Sequence, residues 1–191
     1  MRALPWLCCT LTLALSLGGC QTDRTHRDYD NSRDFGAYRS WGWQEPALQY
    51  RPDDPRIHSD LTEQRLRQAV AEQLEQRGLR QASNAAPDLK VRAWIIVDNR
   101  QQQITTSYGG PWGPGWGGPW MSPGWNETRS VDYRVATLQL DLLDGHDGKL
   151  VWRASQEQIM GDDSADPAQR ADTLRRAVAS LLQHYPPRQG Q

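Results

Sequence analysis

The chain reads as an α+β domain: a four-stranded mixed/antiparallel sheet with two helices packed on one face and a long Trp/Gly/Pro loop between the second and third strands. Three observations predict it. Leu89, Val91, Ala93, Ile95 and Val97 alternate with Lys90, Arg92, Trp94 and Ile96, the period of a strand. Leu66, Val70 and Leu74 recur every fourth residue, and Leu174, Val178, Leu181, Leu182 and Tyr185 repeat at helical spacing. Finally, Asp144-Gly145-His146-Asp147-Gly148 is a compact turn between two further alternating runs, which makes those runs an antiparallel pair.

Taken in order, the first strand is the aromatic-dense run Tyr38-Arg39-Ser40-Trp41-Gly42-Trp43, in which Trp41 and Trp43 share a face. Residues 44–56, rich in Pro and Asp, read as a loop. Asp60 can cap the first helix, with Glu63 reaching back in a capping-box pattern. Ala69 and Gln73 lie at the margin of its apolar stripe, while Glu63, Arg67, Glu72, Glu75 and Gln76 form a solvated face. Arg77 falls in the last turn, Gly78 ends the helix in the left-handed conformation, and Leu79 folds back over it. Pro87-Asp88 marks the boundary before the second strand. Residues 131–143 form the third strand, with Leu138, Leu140 and Leu142 on one face and Val135, Thr137 and Gln139 on the other. Lys149 to Met160 returns as its partner, with Leu150, Trp152 and Ala154 sharing a face. Asp166 caps the last helix, Pro167 occupies its first turn and Pro186-Pro187 stops it. A strand–helix–strand unit calls for a parallel crossover, so the sheet is mixed.

The N-terminus sets the expected location. Met1 and Arg2 give a small positive region, and Leu4 to Leu15 give an apolar stretch too short to span a bilayer. Leu17-Gly18-Gly19-Cys20 then has the pattern of a lipoprotein signal. The expectation is therefore a signal peptide over 1–19, a lipidated tether over 20–27 starting at Cys20, a single domain over 28–187, and a tail over 188–191. In the lipoproteins this pattern resembles, an Asp after the lipidated Cys retains the protein in the inner membrane. Gln21 stands there instead, which implies a periplasm-facing anchor in the outer membrane. Several acyl chains hold a protein stably at roughly 0.8 kcal/mol per buried CH₂. Cys8, Cys9 and Cys20 are the only cysteines, so the mature domain is expected to hold together by packing, without a disulfide. The formal net charge of -1 offers no broad basic field, and no nucleic-acid partner is expected. The mean hydropathy of -0.79 gives no second membrane span.

Residues 98–130 are the expected long loop. Trp112, Trp116 and Trp120 recur at every fourth position among Gly and Pro, followed by Trp125. Gly and Pro exclude a helix. Indole rings suit the wet–apolar boundary of a bilayer, the flat face of a sugar or a partner's groove, and these four are the candidate binding residues. A low-complexity insertion packed back on the domain is the alternative. Asn126-Glu127-Thr128 matches a glycosylation sequon by chance. Asp144, His146 and Asp147 lack the spacing of an EF-hand loop, so no metal or cofactor is expected.

Several runs resemble the bacterial lipoprotein family built on the domain of unknown function numbered 4136. These are Asp34-Phe35 leading to Tyr38-Arg39-Ser40-Trp41-Gly42-Trp43, then Arg77-Gly78-Leu79, then Asp88-Leu89-Lys90-Val91. The most specific is Leu140-Asp141-Leu142-Leu143-Asp144 followed by Gly148-Lys149-Leu150-Val151-Trp152-Arg153, and Tyr185-Pro186-Pro187 closes the series. The resemblance implies an α+β domain in the cell envelope and no established activity. The leading expectation is a non-enzymatic, lipid-anchored protein that binds or scaffolds an envelope protein, a lipid or a glycan. The alternative is an accessory subunit of an envelope transport or assembly machine, using the sheet edge or the face around Trp94. A hydrolase reading has only the scattered Asp141, Asp144 and His146 to support it.

Overall fold

The computed structural model describes residues 25–83, 85–108, 125–159 and 166–187. Two helices, α1 (Asp60–Glu75) and α2 (Pro167–Leu182), pack with one mixed sheet. The sheet has six strands: β1 (Thr25–Tyr29), β2 (Ser40–Arg51), β3 (Arg80–Gln81), β4 (Leu89–Tyr108), β5 (Trp125–Asp144) and β6 (Leu150–Ile159), in the order β1-β6-β5-β4-β2-β3. The α+β class and the mixed sheet stand; the count of four does not. The additional strands are β1 and β3 at the two outer edges. Neither shows an alternating apolar pattern, because an edge strand exposed to water need not bury one face.

The parallel crossover falls where the strand–helix–strand order requires it. β2 and β4 are parallel across α1, whereas β4, β5, β6 and β1 are successively antiparallel. β2 also runs through most of the expected loop 44–56. It passes Pro46 by a shift in register between Trp43, paired with Val91, and Leu48, paired with Ala93. A bulge is where a sheet tolerates a residue that cannot donate. Arg67 of α1 covers this irregularity. Its guanidinium bonds Glu63 and Glu45 and lies 5.1 Å from the Trp43 ring centroid. Thr25 to Arg27, expected in the tether over 20–27, belong to β1 instead.

One core joins the sheet to both helices. Leu89, Val91 and Ala93 of β4 meet Leu138, Leu140 and Leu142 of β5, with Trp41 and Trp152 fully buried beside them. From above come Leu66, Ala69, Val70 and Leu74 of α1 and Val178, Leu181 and Leu182 of α2. Ala69 is as buried as the stripe it was expected to flank. Leu150 departs from the expected face and is 40% exposed. The β5–β6 register shifts between Leu142 and Leu143, which places Val151 as an extra residue and turns Leu150 outward.

The helix ends are set by local chemistry. Ser59, one residue before the expected Asp60, is the N-cap of α1: its side chain accepts from the Thr62 amide, and Glu63 pairs with Arg67 instead of reaching back. Asp60 and Glu63 still favour the positive end of the helix from its first turn. Gly78, at φ +86, ends the helix as expected; Leu79 donates to Leu74 and Gly78 to Glu75, a Schellman arrangement. Arg77 donates to the Leu182 carbonyl and so ties the C-terminal ends of the two helices together. Asp166 and Gln169 form the capping box of α2.

Pro87-Asp88 holds three elements at one corner. The Asp88 carboxylate accepts from the Arg39 and Ser40 amides and the Ser40 hydroxyl, each at 2.9 Å. The Asp88 carbonyl accepts from the Gly145 amide at 2.7 Å. A Cβ at Gly145 would stand 1.8 Å from the Pro87 carbonyl oxygen, so only glycine lets the β5–β6 turn approach. Gly148 has φ +72 with open space around it. Gly145→Ala is expected to cost about 2–3 kcal/mol in urea unfolding, against about 1 kcal/mol for Gly148→Ala, whose penalty is conformational alone. Equal costs would show that the corner is not close-packed.

Candidate functional site

The expected loop over 98–130 contracts to its centre. β4 continues to Tyr108 and β5 begins at Trp125, and the two pair residue for residue from Leu89↔Asp144 to Tyr108↔Trp125. Past Ile96 on β4 and Val135 on β5, neither has another neighbour in the sheet among the described residues. Residues 98–108 and 125–134 are thus a two-stranded ribbon extending roughly 35 Å. Towards its tip both faces meet solvent, residues 101–107 and 126–130 being all exposed, while Val131 and Tyr133 nearer the body are half-buried.

One ribbon face continues the core side of the sheet with Asn99, Gln101, Gln103 and Thr105 opposite Arg134, Asp132, Ser130 and Thr128. The reverse face carries Arg100, Gln102 and Ile104 opposite Tyr133, Val131 and Arg129. Thr105 and Thr128 share a hydrogen bond of 3.2 Å, and Arg100 reaches across β5 to Glu157 of β6. Among the described residues no core covers the ribbon tip, and its pairing is held by the backbone ladder and such cross-strand contacts.

Trp112, Trp116 and Trp120 lie outside the described residues, as does Cys20. Trp125 is the first residue of β5 and the register partner of Tyr108. The Trp-rich stretch therefore leaves from and returns to the ribbon tip. The chain enters at the matching end of the sheet: Thr25 pairs with Gln156, Gln156 with Leu138 and Leu138 with Ile95. The ribbon leaves the body of the sheet just beyond that level.

The reverse face of the body holds a buried carboxylate. Asp141 is fully buried and accepts from Arg153 at 2.7 and 2.9 Å, Gln139 at 3.1 Å, the Trp94 indole at 3.2 Å and Arg92 at 3.4 Å. The guanidiniums of Arg51 and Arg92 lie 4.6 and 5.3 Å from the Trp94 ring centroid. Removing one member of a buried ionic network costs about 3–5 kcal/mol, because the remaining charges are left unpaired. The sequence reading missed this network, taking Asp141 only as one of the scattered residues behind a hydrolase reading. The available signal was positional: Arg92, Asp141 and Arg153 all fall on the reverse face once the turn fixes the register.

Asp144 stands on the opposite face by strand alternation. Its carboxylate accepts from the Tyr38 hydroxyl at 2.9 Å, Arg33 at 3.1 Å and the amides of His146 and Asp147. Arg33 also binds Asp147 and Asp30. Tyr38, Phe35, Tyr185 and Trp152 form a chain of edge-to-face rings with centroids 5.7–6.0 Å apart, running from this cluster into the core. Burial, followed by the bond to Asp144, pushes the Tyr38 hydroxyl up to about 12. Burial raises the Asp144 carboxyl, but the His146, Tyr38 and Asp147 hydrogen bonds and the Arg33 charge outweigh it and hold it below 3.8. Asp141, Asp144 and His146 therefore do not converge on one site. Each carboxylate is committed to bonds that join strands or close a turn.

The geometry defines a class: a small α+β domain with a mixed sheet, two helices on one face and an uncovered β-ribbon. The chain belongs to the family described as a domain of unknown function, DUF4136, whose model matches residues 25–187. Among solved structures it is similar to a DUF4136 family protein from Bacteroides thetaiotaomicron VPI-5482, at 16% identity and a TM-score of 0.52, covering 86% of this chain and 96% of that one. It is also similar to a PDZ domain protein from Parabacteroides distasonis ATCC 8503, at 13% identity and a TM-score of 0.52. That likeness covers 87% of this chain but only 36% of the other, so this chain spans about a third of its length. These likenesses show the fold. No curated protein matches the sequence.

Asp88, Asp144 and Asp147 all have folded-state values below 3.8, and Asp54, bonded to Arg56, falls to about 2. Such groups stabilise the fold above the unfolded value and lose that contribution as the pH falls through the folded one. Unfolding free energy should therefore drop from about pH 4 towards about pH 2. Asp144→Asn should lower stability at pH 7 and flatten this acid limb. An unchanged limb in urea titrations would remove Asp144 from the account.

Proposed function

We propose that this chain is a lipid-anchored, non-enzymatic protein of the bacterial cell envelope, held through Cys20 and presenting its Trp-rich ribbon tip to a binding surface. The surface favoured is the interface of the bilayer that carries the lipid. The observation that carries this reading is the common end of the sheet from which β1 leads back towards Cys20 and the ribbon projects. Five residues of tether from Cys20 to Thr25 reach at most about 18 Å, whereas the ribbon extends roughly 35 Å. The tip, and with it Trp112, Trp116, Trp120 and Trp125 in sequence, falls within reach of the membrane. Indole rings are enriched at the headgroup level, where an apolar body and a polar N–H are both satisfied.

The exposure of residues 101–107 and 126–130 supports the same reading. A hairpin this long would be marginal alone, and here it is continuous with a sheet that supplies its register. Its faces carry mainly amides, hydroxyls and charges, which leave the Trp-rich stretch at the tip as the apolar part of the sequence. The work assigned to the domain is positioning, and the polar network at Asp141 and Asp144 keeps the strands in register for it.

Two measurements test the proposal. In cells, labelled palmitate should enter the full chain and not Cys20→Ala, which should also leave the membrane fraction; persistent label would end the anchoring claim. In vesicles of brominated lipid, tryptophan fluorescence of the anchored chain should be quenched. Replacing Trp112, Trp116, Trp120 and Trp125 with Ala should remove most of that quenching without moving the melting midpoint. An unquenched parent would turn the tip towards a protein or glycan instead.

A further inference from the structure

The open edges of the ribbon differ in a way that the anchoring proposal does not use. The outer edges of the sheet are protected. β3 has two residues and an exposed Arg80, and β1 has five residues with exposed Arg27 and Asp28. Short edges and charges are what keep a strand from pairing with another chain. The free edge of β5 is likewise charged, with Glu127, Arg129, Asp132 and Arg134. The edge of β4 that no described strand pairs with has none of these devices. From Gln101 to Ser107 it reads Gln-Gln-Gln-Ile-Thr-Thr-Ser, fully exposed, without a charge, a proline or a glycine. The nearest charge, Arg100, is drawn across β5 onto Glu157 and away from that edge.

We propose that this edge is an association site for a second copy of the chain, which pairs with it antiparallel about a two-fold axis at Ile104. A two-fold axis brings the same strand to itself antiparallel and makes the contact self-complementary. With Ile104 on the axis, Gln103 of one copy faces Thr105 of the other, Gln102 faces Thr106 and Gln101 faces Ser107. No like charges are opposed anywhere in that register. The neutral edge is what selects a second copy as occupant: a strongly acidic or basic partner strand would find nothing to pair with. Backbone bonds give the contact its strength, and the β-branched Ile104, Thr105 and Thr106 suit the pleat. The result is a continuous four-stranded ribbon linking two domains, with the charged β5 edges outermost.

The test uses the full chain in detergent. Directly opposed residues of an antiparallel pair have Cα atoms about 4.5–5.5 Å apart, within disulfide range. Ile104→Cys should therefore give a covalent dimer on mild oxidation, well above the yield from the parent chain with its native cysteines and from Thr128→Cys on the other ribbon strand. Adding Gln103→Lys and Thr105→Lys opposes lysines across the axis and should reduce the yield about tenfold. Gln103→Glu with Thr105→Lys opposes unlike charges and should restore it. An Ile104→Cys yield no higher than the controls overturns the proposal. So does a yield indifferent to the lysines, or an adduct that joins the chain to a different protein.

Discussion

The length of the helices limits how much of the sheet can be buried. A helix of sixteen residues spans about 24 Å, which matches the reach of β4 from Leu89 to Ile95 at about 3.3 Å per residue. The twenty residues of β4 and of β5 reach about 65 Å. Past Asp98 and Val135, no helix among the described residues packs on the sheet and no described strand extends it. Side chains there change from Leu, Val and Ala to Asn, Gln, Thr, Ser, Asp and Arg on the same face. The body and the ribbon are therefore one ladder with two physical regimes, one stabilised by apolar burial and the other by backbone pairing in water.

Within the body, Asp88, Asp141 and Asp144 serve register. Asp88 joins the start of β2 to the entry of β4 and, through its carbonyl, to the β5–β6 turn. Asp144 closes that turn and ties it to Tyr38 and Arg33. Asp141 joins β4, β5 and β6 on the reverse face through Arg92 and Arg153. A one-residue slip would turn every apolar side chain of a strand away from the core. Buried carboxylates with several donors penalise such a slip further, since each would lose its partners together. The conspicuous motif Asp141-Leu142-Leu143-Asp144 is in this sense a structural signature, with its acids on opposite faces and its leucines between them.

Elements that bury one face were legible in the sequence. The period of Leu89 to Val97 located β4, the leucines at 138, 140 and 142 located β5, and both helical stripes are where spacing put them. The Asp-Gly-His-Asp-Gly turn fixed the antiparallel pair. What could not be read bury little or break a local rule. β1 is an exposed edge of mixed polarity, β3 has two residues, and β2 passes a proline that argues for a loop. The ribbon has no alternation to detect because water lies on both of its faces. As for the site, its Trp positions and Cys20 came from composition and motif and lie beyond the described residues, while the ribbon that frames the Trp stretch came only from pairing. Asp141 was invisible because its burial depends on three strands meeting, and no one of them announces it.

The division into a packed body and an uncovered ribbon is tested most directly by removing the ribbon in register. Asn99 and Arg134 are directly paired, so residues 100–133 can be replaced by Asn-Gly, the two-residue turn that suits such a closure. The shortened protein should fold with a urea midpoint near that of the parent, since among the described residues the deletion removes the ribbon's own ladder and the exposed Arg100–Glu157 pair. A shortened chain that fails to fold, or unfolds at far lower urea, would contradict it and show that the ribbon is part of what stabilises the body.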